Sequence, residues 1–215
     1  MRFFRDNSLT IVLAVATIAC LAGMILTGWA VYNDELSAHG GNTVMIGQYV
    51  VSGHFLSALF ENWESEFLQM SAYVVLTAFL FQRGSAESRN PDESARQNED
   101  HTAAEAPLSV RMGKVPKTLY SYSLGIVLFL LFSISFVFHL RDSTVAQAQE
   151  AVLHGLAAPR VMDHLLSAEF WFESFQNWQS EFLSTAVVVV LSIFLRFQGS
   201  PESKPVAAPH SETGS

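Results

Sequence analysis

Charged side chains are scarce in this chain. They make up 15% of its 215 residues, whereas an ordinary soluble domain carries about a quarter. Between Asn7 and Asn33 there is none, and between Thr118 and Leu140 there is none. Cysteine is nearly absent too: Cys20 stands alone, which excludes an intramolecular disulfide and a cysteine-based metal site. Basic residues are outnumbered, for a net charge of −8, and that argues against nucleic acid as a partner, because its phosphates require a basic face. The seven histidines, His39, His54, His101, His139, His154, His164 and His210, leave the middles of the apolar runs empty. A haem carried inside a helical bundle needs axial histidines there. The phosphate-binding, dinucleotide, zinc-protease and serine-hydrolase fingerprints are missing as well. No enzyme, cofactor or metal is expected.

What remains is apolar and bunched. Half of the residues are hydrophobic. Runs of about 20 apolar residues match a bilayer core about 30 Å thick. The first run follows Arg2 and Arg5 and resembles a secretory leader, but it is too long for one and lacks a small-residue cleavage site. An equivalent run lies inside the chain and cannot be a leader. Both read as membrane spans.

The chain also aligns on itself. With a shift of 115 residues, Phe60–Ser88 falls on Phe175–Ser203 without a gap, and 16 of the 29 positions are identical. The register extends upstream: His39-Gly40 falls on His154-Gly155, Ser52 on Ser167, and Ser8-Leu9 on Ser123-Leu124. Such self-similarity is the signature of internal duplication. It predicts an all-α membrane protein of four transmembrane helices arranged as two two-helix repeats. Repeat one covers residues 1–88, with spans at about 8–30 and 62–83. Residues 89–115 form a flexible linker rich in Ser, Glu, Asp, Asn and Arg. Repeat two covers residues 116–203, with spans at about 118–140 and 177–198, and residues 204–215 form a disordered tail. Two spans per repeat make the copies parallel, related by a pseudo-twofold axis along the membrane normal.

Ten of the twelve Lys and Arg residues fall on one side of this arrangement, and only Arg141 and Arg160 on the other. The positive-inside rule then places both termini in the cytoplasm of a multi-pass protein of the cell inner membrane. Met45–Phe60 and Val161–Phe175 read as amphipathic interfacial helices in the outer loops. Trp29, Trp63, Trp171 and Trp178 fall at the outer ends of spans as an aromatic belt. The repeated Gly-Ser-x-Glu-Ser, at Gly84–Ser88 and Gly199–Ser203, reads as a glycine helix stop or as a docking motif for a partner.

The strongest shared block is Asn-Trp-x-Ser-Glu-Phe-Leu, at Asn62–Leu68 and Asn177–Leu183. Asn62 and Glu66 share a helix face, as do Asn177 and Glu181. Two readings stand. In one, Asn62 and Asn177 cap helices and the acids favour the positive end of the dipole. In the other, Glu66 and Glu181 face each other as a proton or cation site.

The sequence resembles a family known only as a domain of unknown function in small bacterial membrane proteins. The likeness lies in Arg5-Asp6-Asn7-Ser8-Leu9, in Leu26-Thr27-Gly28-Trp29 leading to Tyr32-Asn33, in Phe60–Met70, in Leu80–Ser88 and in Phe175–Ser203. The family brings no activity or site residue. The partners expected from the residues are the lipid bilayer and either a second copy of the chain or another membrane protein. The function expected is a non-enzymatic membrane scaffold or interaction protein, with a small transporter or channel subunit as the alternative.

Overall fold

The computed structural model describes residues 2–92 and 107–214. Much of the linker and His101 lie outside them. The described residues are helical, with no strand among them: α1 (Arg2–Asp6), α2 (Ser8–Ala38), α3 (Ile46–Tyr49), α4 (Gly53–Phe79), α5 (Leu108–Arg111), α6 (Lys114–Ser121), α7 (Ser123–Leu153), α8 (Val161–Leu165) and α9 (Ala168–Phe194). Three helices are long and apolar enough to cross a membrane: α2, α7 and α9. At 1.5 Å per residue, the 31 residues of α2 extend about 46 Å, well beyond a hydrocarbon core of about 30 Å. The 27 residues of α4 equal the length of α9. Glu61, Glu64 and Glu66 crowd its first half, however, and α4 is not among the three.

The distribution of polarity is inverted relative to a water-soluble core. Among the described residues, fourteen buried ones are polar or charged and five are apolar, while Leu9, Val12, Val15, Ile18 and dozens of other large apolar residues stand exposed. Apolar surface on all sides of a helix suits a lipid environment. Small polar residues between helices, here Ser65, Ser71, Ser135, Ser143, Thr144, Ser174 and Ser192, permit close approach in membranes.

The helices begin and end at residues that explain their limits. Ser52 Oγ accepts from the Phe55 amide at 3.2 Å, and Ser167 Oγ accepts from the Phe170 amide at 3.2 Å. These are N-caps, each satisfying an amide of the first turn. The helices therefore start nine residues before Asn62 and Asn177. The segments expected as separate interfacial helices are largely the first turns of α4 and α9, preceded by the short α3 and α8. At the other end of α2, Gly40 takes φ +73° and the Gly41 amide reaches back to the Leu36 carbonyl at 2.8 Å. After α7, Gly155 takes φ +69° and the Leu156 amide reaches the Ala151 carbonyl at 2.8 Å. Glycine pays no Cβ penalty in this left-handed turn.

The chain divides into two compact units: residues 1–60 with 138–170, and residues 61–137 with 171–215. In the first, Gly53 brings the start of α4 against α7: a Cβ there would lie 2.8 Å from the Asp142 carbonyl oxygen and 2.8 Å from the Ala146 nitrogen. Gly28 likewise leaves room for the buried Tyr49, whose hydroxyl would sit 2.2 Å from a Cβ at that position. Burial pushes the Tyr49 hydroxyl above its ordinary pKa, and the nearby Glu35 and Tyr32 add to it. Phe60 and Phe138 stack at 4.8 Å. In the second unit, Gly125 packs against Val75, and Phe132 and Phe136 stand beside Trp178 and Trp171.

Candidate functional site: a polar seam between two helices

All four site residues read from the repeated block lie in the second unit, on α4 and α9. Asn62 and Asn177 are in helix interiors, so capping is not their role. Asn177 Nδ2 donates to Glu61 Oε1, and Asn62 is exposed. Glu66 is exposed and Glu181 half-buried, and the two carboxyls interact electrostatically. The next turn carries a further set of polar contacts. Gln69 Nε2 donates to Thr185 Oγ1 at 2.6 Å, to the Glu181 carbonyl at 3.1 Å and to Ser184 Oγ at 3.4 Å.

Glu66, Gln69 and Tyr73 follow at helical spacing along one face of α4. The Tyr73 hydroxyl donates to Glu87 Oε2 at 2.7 Å. Burial raises the Glu87 pKa above the ordinary carboxyl value; the Tyr73 hydrogen bond opposes this, and Glu202 adds to it. A cavity of about 270 Å³ lies along this line, with Gln69, Tyr73, Glu87, Ser184, Thr185 and Glu202 in its wall. The seam thus runs from one carboxyl pair, Glu66 and Glu181, to another, Glu87 and Glu202. The members of each pair are 115 residues apart.

The Gly-Ser-x-Glu-Ser segments have a local geometric role. Gly84 and Gly199 both take φ +86°. Ser85 Oγ accepts from the Glu87 amide at 3.1 Å, and Ser200 Oγ from the Glu202 amide at 3.2 Å. Ser88 Oγ accepts from the Gln82 amide and Ser203 Oγ from the Phe197 amide, both at 2.9 Å. The tail then packs back. The buried Lys204 donates through Nζ to the carbonyls of Glu212 at 2.9 Å, His210 at 3.1 Å and Pro209 at 3.3 Å. Burial, with help from Arg196 and against Glu212, holds its ammonium below the usual lysine value. Thr213 Oγ1 accepts from the Gly84 amide at 2.9 Å. Outside the helices, the exposed pair Arg83–Asp92, at 2.7 Å, holds the Asp92 carboxyl below its ordinary value.

Two placements were not foreseen from sequence. The first is Glu64, fully buried, whose Oε1 accepts from Trp178 Nε1 at 2.9 Å. Trp178 is therefore a hydrogen-bonded part of the seam, while Trp63 is exposed. From sequence Glu64 reads, with Glu66, as an acid marking a helix start at the membrane boundary, and the residue 115 positions on is Gln179. Trp29, in the first unit, donates to the Val44 carbonyl at 2.8 Å. The second is a polar cluster in the first unit. His139, Asp142, Ser143 and His164 are all buried, and Ser143 Oγ lies 2.8 Å from His164 Nε2. The matched loop histidines His39 and His154 meet edge to face at 6.0 Å. Among the described residues no three His, Cys, Asp or Glu side chains are grouped to hold a metal ion.

The class that fold and composition define is an all-helical protein with helices fit to cross a membrane. The family is a narrower statement. Residues 1–215 match the family described as Domain of unknown function (DUF6766), and the chain belongs to that family. No curated protein and no solved structure matches it.

Proposed function

We propose that this is a non-enzymatic scaffold or interaction protein of the bacterial inner membrane, with four spans arranged as two parallel repeats and both termini in the cytoplasm. The observation that carries the architecture is the common offset of its helices. Both α2 and α7 have 31 residues and start 115 apart; both α4 and α9 have 27 and start 115 apart. Matched residues also meet within each unit: His39 with His154 in one, Gln69 with Ser184 in the other. On this reading α4 is the fourth span. Its Glu61, Glu64 and Gln69 bond to α9, which lets a helix of modest hydropathy reside in the bilayer. The polar seam then clamps the copies together, since hydrogen bonds between helices add stability in a membrane.

A second reading is favoured by one observation, the electrostatic coupling of Glu66 and Glu181. In it the seam binds a proton or small cation as part of a transporter or channel subunit. Purified protein in liposomes loaded with a pH-sensitive dye separates the two. The scaffold reading expects no ion flux above that of empty vesicles. A flux lost in Glu66→Gln with Glu181→Gln refutes it and establishes the second. A flux that survives the double change refutes the proposed role of those carboxyls.

A further inference from the structure

The copies differ most in what they bury. In repeat one, Gly28 faces Tyr49, and Tyr49 packs on Phe55 at 5.4 Å. The residues 115 positions on do the same: Ser143 bonds His164, and His164 packs on Phe170 at 5.3 Å. The pair Tyr32 and His54, 5.0 Å apart, corresponds to Gln147 and Glu169, which share a hydrogen bond. The same positions touch in both copies, but with different chemistry. Met24, Thr27, Gly28 and Tyr49 correspond to His139, Asp142, Ser143 and His164. Repeat one builds this corner without a carboxyl or an imidazole at those four positions. The fold therefore does not require a carboxyl or an imidazole there.

Asp142 is the member without an evident structural duty. It is 3% exposed and lies on α7 just past the uncharged run. Its Oδ2 accepts no hydrogen bond among the described residues. Arg141 approaches Oδ1 only to 3.9 Å, with its own side chain 65% exposed. Water is excluded in part because Gly53 lets the α4 backbone close over α7. The titratable and charged groups on the helices of this unit include His139, Arg141 and Glu150 on α7, His54 on α4, Asp163 and His164 on α8, Glu169 on α9, Tyr49 on α3, and Tyr32, Asp34 and Glu35 on α2. His139, Asp142 and Ser143 share one helix face at i, i+3 and i+4. A buried carboxylate lacking a full set of partners is costly, and a bound proton removes the charge. Ionisable residues in membrane segments are commonly proton sites for that reason.

We propose that Asp142, on one face of α7 with His139 and Ser143, is a buried proton-binding site confined to the second copy. The comparison of copies rests on the repeat reading above. The burial of Asp142 does not. The ligand is a proton, held on the Asp142 carboxyl as the neutral acid.

Infrared difference spectroscopy of the full chain in detergent, stepped between mildly acidic and alkaline pH, tests this. A buried acid with few hydrogen bonds gives a carbonyl band separated from that of hydrated acids. Asp6, Asp34, Asp92 and Asp163 are exposed and contribute to the hydrated band. The expected result is a titrating band that shifts on carbon-13 labelling of aspartate, disappears in Asp142→Asn and remains in Glu66→Gln with Glu181→Gln. Absence of such a band at every pH overturns the proposal, and so does a band that aspartate labelling leaves in place. Both of those results come from the wild-type sequence, so they hold even if Asp142→Asn fails to fold. Topology labelling tests the repeats separately, so either claim can fail alone.

Discussion

Gly53 makes a quantitative test of how α4 meets α7. Alanine is the smallest change available. Its Cβ would sit 2.8 Å from two α7 backbone atoms and 2.9 Å from Val145 Cγ1. Ordinary carbon contacts begin near 3.5 Å, so the helices would have to separate by roughly 0.6 Å. Backbone atoms cannot rotate out of the way as a side chain does. Overpacking of this kind costs about 1–3 kcal/mol. Replacing glycine by alanine in a helix returns up to about 1 kcal/mol, and less at Gly53, the first helical residue. The net expectation is destabilisation by about 1–2 kcal/mol, which for a chain of this size lowers Tm by roughly 2–8 °C. Gly23 is the control. It lies inside α2, and a Cβ there meets nothing within 4 Å, so Gly23→Ala should be neutral or stabilising by up to about 1 kcal/mol. Thermal unfolding of both variants in detergent, followed by tryptophan fluorescence, gives the comparison. If Gly53→Ala melts at or above the wild-type temperature, the close approach of α4 to α7 is wrong.

Three further outcomes follow from the second unit. Gln69→Leu removes the donor to Thr185, Ser184 and the Glu181 carbonyl; it should cost about 0.6–1.7 kcal/mol, as interhelical hydrogen bonds in membranes do, and unfolding in mixed detergent measures it. Glu87 has its pKa raised in the folded chain, so the folded state binds its proton more tightly than the unfolded state. Its contribution to stability is therefore full below the ordinary carboxyl range and lost as pH rises through the raised value. Glu87→Gln should flatten the dependence of Tm on pH over that interval, and an unchanged profile refutes the assignment. Lys204→Ala removes the three bonds to the carbonyls of residues 209, 210 and 212, and limited proteolysis should then cut residues 205–214 several-fold faster than in wild type.

Long helices were legible because their signals are additive. The uncharged runs announce α2 and α7, each of 31 residues. Helix starts were less legible. Asn62 precedes an uncharged stretch and has the chemistry of a cap, but Ser52 holds that position because the turns from Gly53 to Asn62 are helical and also pack against neighbours. Hydropathy averages over such a segment cannot separate a polar face directed at another helix from one directed at water. Shared residues pointed to Glu66 and Glu181, of which Glu66 is exposed and Glu181 half-buried. Glu64 reads from sequence as an acid at a helix start, and its burial, like that of Asp142, was not legible because burial depends on partners far away in sequence.

The central claim is four spans in two parallel copies, and impermeant-maleimide labelling tests it most directly. Cys20 is replaced by Ser, and single cysteines are placed at the exposed positions Asn42, Asp92, Ala157 and Pro201. In intact spheroplasts, Asn42→Cys and Ala157→Cys should label at once, while Asp92→Cys and Pro201→Cys should label only after permeabilisation. Labelling of Asp92→Cys together with Asn42→Cys would mean that α4 does not cross the membrane, and the parallel-repeat account would fail.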